Sequence, residues 1–257
     1  MADETRGVLI DLSGVLYVGD RAVPGAIDAL GRLRDADVRL RFVTNTSRRT
    51  RADVVDKLRG LGYAIDTAEV FSAPLAARRA IQRQRLRPHL LVHPSVRADF
   101  DGLDSADPNA VVVGDAGERF DYDSLNAAFR VLVEDDGRPL ISMGANRYFK
   151  DGDGGLSLDM GPFVEALAFA AGRKAMTVGK PAPAFFRDVL QDMGCKPATS
   201  VMIGDDLAND VGGAQAVGLT GVLVRTGKYR PADEHDDAVS PDAVVNDFAA
   251  AVDWLIG

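Results

Sequence analysis

Apolar positions along the chain fall into short runs separated by helical stripes, a rhythm that predicts an α/β fold. Val8, Leu9 and Ile10 form a run without alternation, partly β-branched, which stops at Gly14. That is the pattern of a strand buried on both faces, and it ends in Asp11, Leu12 and Ser13. Behind Pro24, Ile27, Leu30 and Leu33 recur at helical spacing, and Val38, Leu40 and Phe42 then alternate into a second strand ending in Thr44-Asn45-Thr46-Ser47. A helix carrying Val54, Val55, Leu58 and Leu61 follows and stops at Gly62.

From about Phe71 the register changes. An Ala/Arg/Gln-rich helix leads to strands at Leu90–Val92 and Ala110–Val113, a helix with Leu125, Phe129, Leu132 and Val133, a strand at Leu140–Ser142 and a helix near Phe163–Ala171. These elements read as an inserted α/β module of roughly a hundred residues. Asp151-Gly-Asp-Gly-Gly resembles a calcium loop, but Pro162 stands where a bidentate Glu is required, so the segment reads as a turn.

The first architecture then returns. Met176-Thr177-Val178 reads as a third core strand ending in Gly179-Lys180-Pro181, with a helix behind Pro183 burying Phe186, Val189, Leu190 and Met193. A fourth strand, Ser200–Ile203, ends in Gly204-Asp205-Asp206 and reaches Asp210. Strands at Val222–Val224, ending in Arg225-Thr226-Gly227, and Ala243–Val245 precede a helix that brings Val252, Leu255 and Ile256 to the core. The expected organisation is a Rossmann-like parallel-sheet core made of residues 1–75 and 176–257, with an inserted α/β domain over 76–175.

Composition narrows the chemistry. With 257 residues and 46% apolar content the chain can bury a sizeable core without staples. One cysteine, Cys195, and three histidines exclude a disulfide framework and make a Cys/His metal centre an unpromising idea. A polar start and the lack of a spanning apolar run lead to the expectation of a soluble, cytoplasmic protein. The net charge of −8 argues against nucleic acid or an anionic membrane as partner. Arginines at 32, 34, 39, 41, 48, 49 and 51 could meet a small anion, although a solvated helix face explains most of them.

The chemistry-bearing residues lie at strand ends, the edge where open parallel sheets bind ligands. Asp11 is a carboxylate at the first. Thr44 and Asn45 stand at the second, before a helix amino terminus, and are candidates to grip a phosphoryl oxygen. Lys180 supplies a cation at the third. Asp205, Asp206 and Asp210 at the fourth would repel one another without a cation, and hard oxygen donors point to magnesium.

This ordered set, Asp11 with Ser13, Thr44-Asn45, Gly179-Lys180-Pro181 and Gly204-Asp205-Asp206 with Asp210, resembles the four motifs of the haloacid dehalogenase superfamily, aspartate-nucleophile phosphatases on a Rossmann-like core. The insertion resembles the large α/β cap of its nitrophenylphosphatase-like subgroup. The resemblance implies that Asp11 is the nucleophile. It also implies Mg2+ held by Asp11, the Ser13 backbone carbonyl and Asp205, with Asp206 and Asp210 orienting its waters, while Thr44, Asn45 and Lys180 bind the phosphoryl oxygens. A carboxylate is a competent nucleophile toward phosphorus, splitting one hard displacement into two easier ones. The family's phosphatases usually carry a second aspartate at the position of Ser13 to protonate the leaving group. A serine cannot replace it, and the expected substrates are small compounds with pyrophosphate or phosphoramidate bonds, such as phosphohistidine or phospholysine. Alternatives are a general phosphomonoesterase, a phospho-acceptor signalling domain, whose acid pair comes early in a shorter chain, and a non-catalytic phospho-ligand binder. A homodimer formed through the cap is a further expectation from the resemblance alone.

Overall fold

The structure, a computed structural model, describes residues 6–150 and 155–257. The chain divides into two compact units. The first takes the chain up to Thr44, then Ala52–Phe71 and Lys180–Gly257; the second takes Asn45–Arg51 and Ser72–Gly179. The changeovers after Phe71 and Gly179 lie four residues from those expected after residues 75 and 175, and the Asn45–Arg51 excursion has no counterpart among the expected boundaries.

Elements are labelled in chain order. The first unit is built on a six-stranded sheet of β1 (Gly7–Asp11), β4 (Arg39–Thr44), β5 (Val70–Ser72), β12 (Ser200–Gly204), β13 (Thr220–Val224) and β14 (Ala243–Val245), in the order β14-β13-β12-β1-β4-β5. β1 lies parallel to β12 and β4 on its two sides, with Ile10 opposite Ile203 and Phe42 and Asp11 opposite Val43. β12, β13 and β14 continue the parallel arrangement. The apolar run at 8–10 is required by this position, since a strand covered on both faces has no solvent side, and all three residues are fully buried.

Around the sheet lie α1 (Ala26–Asp35), α2 (Arg51–Gly60), α6 (Pro183–Met193), the short α7 (Gly213–Gln215) and α8 (Phe248–Ile256); β2 (Tyr17–Val18) and β3 (Arg21–Ala22) form a hairpin after β1. Local chemistry sets several helix ends. Pro183 opens α6, whose ring-fixed φ suits a first turn, and Gly194 closes it at φ +63°. Asp247 caps α8 by accepting from the Ala250 N–H at 2.9 Å. Leu30 and Leu33 of α1, Phe186, Val189, Leu190 and Met193 of α6 and Val252 of α8 are buried as their spacing predicts. Ile27, Val133 and Ile256 are not: each sits beside a buried stripe and is more than 40% exposed.

The second unit carries a parallel four-stranded sheet, β6 (Pro88–Leu91), β7 (Ala110–Val113), β8 (Leu140–Ser142) and β11 (Met176–Thr177), in the order β11-β8-β7-β6. Its helices are α3 (Ala73–Gln84), α4 (Tyr122–Val133) and α5 (Met160–Ala171), and β9 (Tyr148–Lys150) pairs antiparallel with β10 (Leu156–Leu158). Val111, Val113, Ala128, Leu132, Val164 and Leu167 form its core, and Phe120 stacks on Phe163 with centroids 3.9 Å apart. β11 corrects the sequence reading, which made Met176–Val178 a core strand. Its residues pair with Ile141 and Ser142, and the Val178 N–H donates to the Ser142 carbonyl. A two-residue edge strand carries no pattern that says which sheet it joins. Residues 151–154 of the turn expected at 151–155 lie outside the described residues.

Candidate active site

The strand order places a topological switch point at the carboxyl edge of the core sheet. From β1 the chain proceeds to β4 and β5 on one side and later fills β12, β13 and β14 on the other, so the order reverses between β1 and β12, the position where doubly wound sheets bind ligands. Asp11 is the last residue of β1 and Asp205 the first after β12, so the two acids flank that switch point.

Three carboxylates converge there. Asp11, Asp205 and Asp210 each offer an oxygen within 4.8 Å of the others, and the side chains are buried. Lys180, 4% exposed, donates from Nζ to Asp11 Oδ1 and, at 2.6 Å, to Asp210 Oδ1. One ammonium against three acids leaves excess negative charge in a water-poor site. Burial, with Asp210 and Asp205 adding repulsion against the pull of Lys180, pushes Asp11 up to about 8. Burial likewise pushes Asp205 up to about 6, opposed by the Lys228 N–H and reinforced by Asp210. Burial opposes the charged form of Lys180, but Asp11 and Asp210 outweigh it and raise its pKa, so the ammonium is retained.

A divalent cation fits this donor set. The atoms are hard oxygens, they are close enough to share one ion, and their excess charge is what a cation would neutralise. The structure groups Asp210 with Asp11 and Asp205 and turns Asp206 away. Asp206 accepts from Asn209 N at 3.0 Å, Asn209 Nδ2 at 2.8 Å and Lys228 Nζ at 3.0 Å. Burial works against its charge, yet Lys228 and the Asn209 N–H groups hold its pKa below the usual value. The reason lies in the wide π-type turn Leu207–Gly212, which Asp206 caps while Asp210 points back toward Lys180.

Two glycines allow the loops to close on Asp205. Gly14 (φ +96°) and Gly227 (φ +63°) both occupy the left-handed region, and a Cβ on either would collide with the Asp205 carboxylate. The Thr226 hydroxyl donates to the Gly14 carbonyl at 2.5 Å, and the Lys228 backbone N–H donates to Asp205 Oδ2 at 2.7 Å. Gly227 and Lys228 were not among the expected site residues. The available signal was a glycine-lysine pair just past an apolar strand.

The remaining candidates are placed as follows. Ser13 is exposed at the start of the loop after β1, and Thr44 is buried as the last residue of β4. Asn45 follows Thr44 in the chain yet belongs to the second unit, together with Gly179, the residue before Lys180. The helix amino terminus expected beside Thr44-Asn45 begins only at Arg51. The Ser47 hydroxyl accepts from the Asp115 N–H at 3.1 Å.

Two family models match the chain: haloacid dehalogenase-like hydrolase over residues 8–106 and HAD-hydrolase-like over residues 177–251. Phospholysine phosphohistidine inorganic pyrophosphate phosphatase of Danio rerio is 49% identical over 255 residues, covering 98% of this chain and 94% of its own. Haloacid dehalogenase-like hydrolase domain-containing protein 2 of Homo sapiens is also 49% identical, over 251 residues, with 98% and 96% covered. Among solved structures, p-nitrophenyl phosphatase from Archaeoglobus fulgidus superposes with a TM-score of 0.90 at 24% identity, covering 98% of this chain and all of the other.

Proposed function

Because the chain belongs to the haloacid dehalogenase-like hydrolases and is similar over nearly its whole length to relatives named as phosphatases, we propose that it is a magnesium-dependent phosphatase acting through a phosphorylated Asp11, with a preference for pyrophosphate and phosphoramidate bonds. The carboxylate trio of Asp11, Asp205 and Asp210 closed by Lys180 carries the reading of the reaction. Near-full-length similarity to an enzyme named for phospholysine, phosphohistidine and pyrophosphate supports the substrate class.

In the proposed reaction an oxygen of Asp11 attacks phosphorus and the bridging P–O or P–N bond breaks, its electron pair leaving with the departing group. Water then attacks the aspartyl phosphate at phosphorus, releasing orthophosphate and restoring Asp11. Lys180 fixes one Asp11 oxygen and thereby the plane of the carboxylate, while contributing positive charge beside the transferring group. Thr44 and the Asn45 backbone bind its oxygens. Asp11, Asp205 and the Ser13 carbonyl would hold magnesium, with Asp210 beside them, and the ion would supply positive charge that keeps Asp11 ionised and offsets its repulsion of the incoming phosphate. Asp206, read from the sequence as orienting the ion's waters, is instead engaged by Lys228 and Asn209.

Ser13 sets the substrate class. An alkyl ester expels an alkoxide that needs a proton, and lack of a donor costs on the order of 10²–10⁴ in rate. Phosphate is a stable leaving anion, imidazole has a reference pKa of about 6.5, and the amine of phospholysine can carry its own proton, so none depends heavily on a donor. Initial rates on pyrophosphate, phosphohistidine, phospholysine and an alkyl monoester, with and without magnesium, test the proposal; faster turnover of the alkyl ester would reject the preference. The second reading, a general phosphomonoesterase, draws on equal identity to a relative whose name specifies no substrate.

A further inference from the structure

Asn45–Arg51 is flanked on both sides by core sequence but packs with the cap domain. An ion pair between Arg48 and Asp115 is among the contacts responsible. Arg48 presents a two-pronged guanidinium to Asp115, with Nε at 2.5 Å from Oδ2 and Nη2 at 3.0 Å from Oδ1, the geometry that gives arginine–carboxylate pairs their directionality. The same guanidinium lies over the Phe149 ring, 5.4 Å from its centroid. Asp115 is 8% exposed and is itself held: its N–H donates to Ser47 Oγ at 3.1 Å, and its Oδ1 accepts from the Gly117 N–H at 3.2 Å. On the far side, Ser95 Oγ donates to the Arg48 carbonyl at 2.5 Å. The segment is thus pinned through both the side chain and the backbone.

The pinning extends to the neighbouring loop. A Cβ on Gly179 would strike the Met143 carbonyl and come within 2.8 Å of Asn45 Oδ1, so Asn45 and Gly179 share one tight corner of the cap domain. Each is bonded to a residue of the core unit, Asn45 to Thr44 and Gly179 to Lys180. We propose that Arg48 and Asp115 are positioning residues for the phosphatase reaction: by fastening Asn45–Arg51 to the cap domain they fix the Asn45 backbone N–H that binds a phosphoryl oxygen. The proposal rests on the reading above of Thr44 and Asn45 as the phosphoryl grip. Neither Arg48 nor Asp115 touches the reacting atoms in this scheme.

The test compares the full chain with Asp115→Asn, Arg48→Met and Arg48→Lys by two measurements. Amide hydrogen exchange is followed in peptides covering residues 44–51, with peptides from β7 and α4 reporting whether the cap domain stays folded. Affinity for inorganic phosphate is measured by calorimetry at saturating magnesium, alongside kcat, KM and the magnesium concentration for half-activity. Asp115→Asn and Arg48→Met should speed exchange in 44–51 and leave β7 and α4 protected. They should weaken phosphate binding and lower kcat/KM by between about tenfold and a hundredfold, the cost of a misplaced binding group. Half-saturation by magnesium should stay put, because Asp11, Asp205 and Asp210 are untouched. Arg48→Lys keeps the charge without the fork and should recover only part of the loss. Unchanged exchange in 44–51 would overturn the fastening, and faster exchange with unchanged phosphate affinity would overturn the positioning role. A parent chain that neither binds phosphate nor turns over would refute the phosphatase reading, and the role of the pair with it, while the exchange data would still decide whether Arg48 and Asp115 hold the segment.

Discussion

Removing divalent cations should give the protein a stability that falls as pH rises, and the site fixes the size of the effect. Asp11 moves from an ordinary value of 3.8 to about 8 and Asp205 from 3.8 to about 6 in the cation-free fold, mainly through burial. A group whose pKa is raised on folding binds more protons in the native state, so its stabilisation is complete below the unfolded pKa and lost as pH climbs through the folded one. His89 opposes this at lower pH. Burial, with Arg119 and Arg97, holds its pKa below 6.5, so its charging favours the unfolded chain below that point. The retained Lys180 ammonium titrates above the window. Between pH 6.5 and 8 Asp11 therefore dominates, and at about 1.4 kcal/mol per pH unit the loss is roughly 2 kcal/mol. For a chain of this size that corresponds to a fall in Tm of roughly 4–8 °C. Scanning calorimetry in EDTA should record it. Saturating magnesium should remove the slope, since the ion displaces the proton, and magnesium affinity should rise over the same window. A Tm in EDTA that is flat or rises from pH 6.5 to 8, or a slope indifferent to magnesium, would refute the reasoning.

Ser13→Asp should raise turnover of alkyl monoesters relative to pyrophosphate; equal changes for both substrate classes in parallel rate assays would move the preference to the cap. Asp205→Ala should abolish most activity and partly stabilise the cation-free fold at pH 8, because one of three repelling carboxylates is gone; a thermal scan in EDTA showing destabilisation instead would contradict this. Gly227→Ala should reduce activity by displacing Asp205 from its loop, and unchanged kcat with unchanged magnesium half-saturation would count against that packing. Two protomers should associate through their cap domains, whose β9–β10 pair leaves Tyr148, Leu156 and Leu158 more than half exposed; sedimentation showing only monomer at micromolar concentration would reject this.

The parts of the site legible in the sequence are those that one strand and its own end specify. The buried run at 8–10 announced β1, and charged residues directly after apolar strands marked Asp11 and the Asp205 cluster. What escaped depends on distant partners. Lys228 meets Asp205 through a backbone N–H, a group every residue but proline carries, so its side-chain type gives no cue. Asn45–Arg51 joins the cap domain because Arg48 finds Asp115, 67 positions away, and nothing near Arg48 distinguishes it from its exposed neighbours. Asp206 and Asp210 are equivalent as letters, and the wide turn between them decides which faces Lys180. Met176–Thr177 is too short for its periodicity to reveal a sheet. The exposed Ile27 and Ile256 show the opposite error, helical spacing read as one residue wider than the face that packs.

The central claim is that Asp11 carries the phosphoryl group. The direct measurement is to quench the magnesium-loaded protein in acid during turnover of pyrophosphate, reduce it with borohydride, which converts an aspartyl phosphate to homoserine, and read position 11 by peptide mass spectrometry. Homoserine at position 11, requiring both magnesium and substrate and missing in Asp11→Asn, is the predicted result. Turnover with no modification at residue 11, together with an Asp11→Asn variant that hydrolyses pyrophosphate at near the parent rate, would contradict it.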